Sequence, residues 1–157
     1  DKKRDAMIKF IKIILLFTGI SYLCFFPQHA FAKNRILTNV KVIHASTGPQ
    51  HVDPSLNKII SGLQSVFKYT SYRLIKDQQL NLGFKESGQV SLPGKRTLVV
   101  IPANMEGKRI RYQISIQKNR QSIFQTQVLL KNNSSITIGG PQFNNGVLLL
   151  NISGSVH

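Results

Sequence analysis

The chain has 157 residues, 21 of them Lys or Arg and 6 Asp or Glu, for a formal charge of +15. This length suits a single domain behind a leader, and so few carboxylates leave no obvious pair for acid–base hydrolysis. The charge favours polyanionic partners without choosing among them.

Residues 1–32 read as an export signal: Lys2, Lys3, Arg4, Lys9 and Lys12 form a basic start, Ile13–Phe26 an apolar run, and Ala30-Phe31-Ala32 a small-x-small cleavage site. Asp1–Ala6 is an upstream extension if the working start is Met7. The run is short for a membrane anchor and is interrupted by Thr18, Gly19 and Ser21, so an uncleaved anchor is the competing reading. Cys24 is the sole cysteine and lies inside the signal, so residues 33–157 form no disulfide and hold no thiolate. Lipidation there is disfavoured, because Tyr22 and Leu23 precede Cys24 where a small residue is expected. Residues 33–157 keep 16 basic and 4 acidic side chains, so the basicity belongs to the domain.

Ile36–His44 is β-branched and predicts a first strand, followed by a loop over Ala45–His51. Asp53-Pro54 predicts a helix start, with Asp53 as N-cap and Pro54 where a missing N–H costs nothing. Leu56, Ile59, Ile60, Leu63, Val66 and Phe67 then form a helical apolar stripe suited to lying on a sheet. Period two takes over in Tyr69–Ile75 and Gln79–Phe84, two strands with a turn expected at Lys76-Asp77.

Val90–Leu92 is a short strand before the Pro93-Gly94 turn, and Thr97–Ile101 reads as a buried one. Ile110, Tyr112, Ile114 and Ile116 alternate with polar residues, as do Phe124, Thr126, Val128 and Leu130, which predicts an antiparallel hairpin across Lys118–Gln121. Lys131–Ser134 is a turn. Ile136–Ile138 runs into a turn at Gly139-Gly140-Pro141, and Asn144-Asn145-Gly146 precedes a central strand over Val147–Ile152.

The expected fold is α+β: one amphipathic helix packed on a mainly antiparallel sheet of about eight strands, a sandwich or partial barrel. Val52-Asp53-Pro54-x-Leu56, Phe67-x-Tyr69-x-Ser71-Tyr72, Leu92-Pro93-Gly94 and Ile138-Gly139-Gly140-Pro141 with Gly146-Val147-Leu148 together resemble small uncharacterised exported proteins of Gram-negative bacteria. That resemblance implies a periplasmic setting and brings no activity and no functional residues.

Chemistry is sparse. Gly139-Gly140 lacks both phosphate-loop patterns, and no nucleophile motif is present. His44, His51 and Asp53 are a weak metal or acid–base set, since Asp53 has a simpler role as a cap. No cofactor, metal or enzymatic activity is expected. The basic residues are dispersed; Lys95, Arg96, Lys108, Arg109 and Arg111 are the candidate anion-binding set, with Lys118 and Arg120 beyond it.

The expected function is a non-enzymatic accessory or assembly protein of the cell envelope or periplasm, binding a protein partner through a sheet edge or its basic face. The alternative is a basic module for anionic lipid or glycan; export argues against nucleic acid.

Overall fold

The computed structural model describes residues 34–157. The predicted signal, its cleavage site and Cys24 lie outside the described residues.

Strand β1, Arg35–Ser46, contains the predicted Ile36–His44: Ile36, Thr38, Val40 and Val42 are fully buried on one face, and the alternation breaks at the next residue, Ile43, which is buried as well. It is the middle strand of a five-stranded sheet, sheet A, built with β2 (His51–Val52), β3 (Ser71–Gly83), β8 (Ser134–Phe143) and β9 (Gly146–Val156) in the order β2-β3-β1-β9-β8. Every pairing in it is antiparallel except that of the two-residue β2. Sheet B is a four-stranded antiparallel meander of β4 (Gly88–Leu92), β5 (Arg96–Glu106), β6 (Arg109–Lys118) and β7 (Gln121–Lys131).

The two sheets face each other over one apolar core. Ile36, Val40 and Val42 of β1 and Leu148, Leu150 and Ile152 of β9 meet Leu98 and Val100 of β5 and Ile110, Tyr112, Ile114 and Ile116 of β6. Each such side chain, fully withdrawn from water, contributes about 1.5–3 kcal/mol, so this interface dominates stability. One polar contact crosses it: the Tyr112 hydroxyl lies 2.8 Å from that of Thr38, both residues fully buried. Gly154 makes room for it, since a Cβ there would sit 2.3 Å from the Tyr112 oxygen. Burial pushes the Tyr112 phenol above its ordinary value, against the opposing effect of the Thr38 hydrogen bond.

A second apolar cluster lies on the outer face of sheet A. There Ile43, Ala45, Tyr72 and Leu149 are covered by Leu56 and Leu63. The covering segment is the predicted helix, in two pieces. Pro54–Leu56 is one 3₁₀ turn, and the α-helix, α1, is only Ile60–Val66. Asn57, Ser61, Gly62 and the β-branched Ile59, Ile60 and Val66 are poor helix formers, so the helix exists where Leu63 is buried, and Val66 points outward at 69% exposure.

Two predicted turns are strand irregularities instead. β3 runs through Lys76-Asp77 because one extra residue, Ile75, is accommodated as a bulge opposite Val42/Ile43. Asp77 then faces β1, where it accepts from Asn39 at 2.7 Å and pairs with Lys41. Gly139-Gly140-Pro141 likewise lies within β8, whose register against β9 shifts between Gly139 and Gln142. The predicted hairpin of β6 and β7 forms, closed by Asn119 and Arg120, both at positive φ (51° and 65°) as a tight two-residue turn requires.

Candidate functional site

The five predicted anion-binding residues fall at the two ends of sheet B. Lys95 lies in the β4–β5 turn and Arg96 opens β5, directly opposite Lys118 of β6. Lys108, Arg109 and Arg111 belong to the β5–β6 turn and the start of β6. Arg109 and Lys118 stand at opposite ends of the ten-residue β6, about 30 Å apart, so no single ligand group reaches both sets.

The two ends also differ in charge balance. At the Arg109 end, Glu106 accepts from Arg111 Nε at 2.7 Å and pairs with its Nη2, while Gln127 takes Nη1 at 3.3 Å; Lys108, Arg109 and Lys131, the last directly opposite Arg109, have no carboxylate of the described residues assigned to them. The other carboxylates among the described residues are engaged elsewhere. Asp53 caps the 3₁₀ turn through the Ser55 amide at 2.9 Å, and hydrogen bonds from the Ser55 hydroxyl and amide hold it below the usual carboxylate value. At Asp77 burial acts upward, but hydrogen bonds from Lys41 and Asn39 outweigh it and its pKa is lowered. Glu86 accepts from Arg35 at 3.0 Å and from the Gly83 amide at 2.7 Å. The remaining end of sheet B thus gathers Lys95, Arg96, Lys118 and Arg120 with no carboxylate of the described residues assigned to it. Arg96 is held there by donating from Nη1 to the Gln142 carbonyl at 3.0 Å, which ties the two sheets together.

The histidines do not build a site. His44 Nε2 lies 3.2 Å from the Phe143 carbonyl and its ring meets the Phe143 ring edge-on, whereas His51 is exposed on β2. No group of three His, Cys, Asp or Glu side chains gathers among the described residues. The outer face of sheet A carries a shallow hollow of about 700 Å³ lined by Asn39, Lys41, Lys58, Gln79, Asn151 and Ser153, of whose two cations Lys41 is already paired with Asp77.

Strand β7 is the feature without a structural explanation. Among the described residues it is an edge of sheet B, pairing with β6 alone. From Ser122 to Leu130 it carries no charge and no proline, and apolar side chains point both ways: Ile123 is 51% exposed, Phe124 38% and Leu129 37%. Edge strands ordinarily carry charges, prolines or cover, because their free N–H and C=O groups recruit other strands.

Its neighbour in space, β8, has such protection: the register shift and Pro141 spoil its ladder. β7 and β8 are joined by the Asn132-Asn133 turn, where Asn132 N donates to Lys108 O at 2.9 Å and Asn133 N to Gly154 O at 2.9 Å. Away from that turn they separate into a cleft of about 320 Å³, lined by Ile116, Ile123, Phe124, Gly139, Gly140 and Pro141. A bulge at Ile123, where Gln117 pairs with Ser122 and Ile116 with Phe124, splays the β7 end of the cleft.

The alternation in Phe124–Leu130 predicted a hairpin strand. It missed the edge because pairing partners are not local information. The available signal was the pair Ile123 and Leu129 on the supposedly wet positions, with no charge for nine residues. No protein-family model, curated protein or solved structure matches this chain.

Proposed function

We propose that this protein is a non-enzymatic accessory or assembly component of the cell envelope that holds another protein by adding a strand to β7. One observation carries the reading: an eleven-residue edge strand with an uncharged centre and three exposed large apolar side chains borders a preformed apolar cleft. An extended segment laid along β7 satisfies its free backbone groups, and its alternate side chains enter the cleft. The envelope setting rests on the signal-like residues 1–32. The non-enzymatic part is supported by the four side-chain carboxylates of the described residues, which are separated and already engaged.

The test is capture from native envelope extract by tagged residues 33–157, at low and at high salt, beside a variant carrying Ile123→Asn and Leu129→Asn. A protein retained at high salt by the parent and lost by the variant supports strand addition. Retention that the variant leaves intact removes β7 from the function. Lipid or glycan held only at low salt, equally by both, favours the basic-module reading, because charge-dominated binding is screened.

A further inference from the structure

The strand-addition reading leaves the partner's chemistry open, and the charge distribution narrows it. The cleft does not end in neutral surface. Ile116 lies two residues before Lys118, and the Asn119-Arg120 turn leads directly into β7. Across the ladder, Lys118 is opposite Arg96, with Lys95 beside it in the next turn. Like charges placed directly opposite one another repel, and here no carboxylate of the described residues offsets them; Arg109 opposite Lys131 repeats the pairing at the other end of β7, but Glu106 stands there and the cleft does not.

Two of these cations also occupy backbone positions that favour glycine. Lys95 has φ 56° and Arg120 φ 65°, in the left-handed region where a side chain costs roughly 1 kcal/mol. Both features cost stability, and both place positive charge at the mouth of the apolar cleft.

Building on the strand-addition reading, we propose that the segment received by β7 is an apolar extended strand flanked by acidic residues, and that its Asp or Glu side chains lie against Lys118, Arg120, Lys95 and Arg96. Sheet B is antiparallel throughout, and an added antiparallel strand is slightly the more stable choice. Such a strand passes the start of β7 last, so its acidic residues follow the apolar stretch. An anionic membrane is the weaker match, because these cations occupy one end of a strand edge and continue into a cleft shaped for side chains.

The test is an anisotropy titration of residues 33–157, which hold all the described strands and both apolar clusters. The probes are short labelled peptides sharing one alternating valine-threonine core, with acidic residues after it, before it, or replaced by glutamine. The acidic-after peptide should bind about tenfold tighter than the neutral one at low salt, and Lys118→Gln with Arg120→Gln should erase that gain while leaving neutral binding in place.

Equal binding of all three peptides overturns the acidic flank and leaves strand addition standing. A preference for the acidic-before peptide overturns the antiparallel arrangement if Lys118→Gln with Arg120→Gln abolishes it, and overturns the assignment to these cations, in favour of the Arg109–Lys131 end, if that variant leaves it intact. No binding of the neutral peptide, or acidic binding unaltered by Ile123→Asn with Leu129→Asn, overturns strand addition itself. Anionic phosphatidylglycerol vesicles that compete fully with the acidic peptide, and bind the Ile123→Asn and Leu129→Asn variant equally, assign the cations to a membrane instead.

Discussion

The two sheets meet along two seams, and the seams are built differently. At the β3–β4 seam, Glu86 ties Arg35 to the Gly83 amide, Lys85 N donates to Pro102 O at 2.7 Å, and the Gln78 amide donates to Gln89 O at 3.3 Å. At the β7–β8 seam the connecting turn is tied, but beyond it the strands diverge around exposed Ile123 and Phe124. A sandwich of this size is held by its core, so one seam is free to remain open without unfolding the domain. The open seam is where binding is cheapest to evolve, because among the described residues the outer edge of β7 has no strand partner.

The largest expected effect comes from forcing the open seam to change shape. A Cβ on Gly140 would sit 2.8 Å from the Leu148 carbonyl oxygen, so the glycine lets β8 lie close over β9 beside the cleft. Gly140→Val should cost about 2–4 kcal/mol in urea unfolding; a loss under about 1 kcal/mol would show that β8 moves freely.

Next is Tyr112→Phe, which acts on the core common to both seams. It strands the buried Thr38 hydroxyl and should cost about 1–3 kcal/mol, with capture through β7 unchanged. A smaller effect belongs to the closed seam: Glu86→Gln keeps an acceptor for Gly83 but loses the charge facing Arg35. Both partners are more than 40% exposed, so the expected loss is about 0.5–1 kcal/mol, and it should shrink with added salt.

The smallest shift has the opposite sign. Arg120→Gly relieves a left-handed arginine and should stabilise by about 0.5 kcal/mol while weakening the acidic-peptide interaction. A variant that is both less stable and equally able to bind would remove the argument that this residue is held in place for a ligand.

Much of the fold was legible because alternation is local. β1, β6, β7 and β9 follow from their own apolar patterns, and Asp53 caps where its sequence context predicts. What failed locally was decided by contacts across sheets. Lys76-Asp77 looked like a turn until β1 supplied Lys41 and Asn39 to hold Asp77 within a strand. The twelve-residue apolar stripe overstated the helix, because its hydrophobic residues include poor helix formers and only part of it is buried.

The site was less legible for the same reason. Lys108, Arg109 and Arg111 are a cluster in sequence, yet Glu106 sits among them. Glu106 engages Arg111, and a second group, which no carboxylate of the described residues offsets, joins Lys95 and Arg96 to Lys118 and Arg120 through the register of β5 on β6.

The position of β1 has a consequence for how the molecule comes together. It is among the earliest described segments in the chain, and its flanks are taken by β3 and by β9, whose pairing sets Ile36 opposite Val156 and lets His157 N donate to Arg35 O at 3.0 Å. Sheet A therefore cannot close until its final strand is available, and its central ladder spans nearly the whole described sequence. Topologies dominated by such distant pairing fold slowly. A nascent chain of this protein would hold β1 half-paired until β9 is made, a long interval in which a holding chaperone has something extended and apolar to grasp.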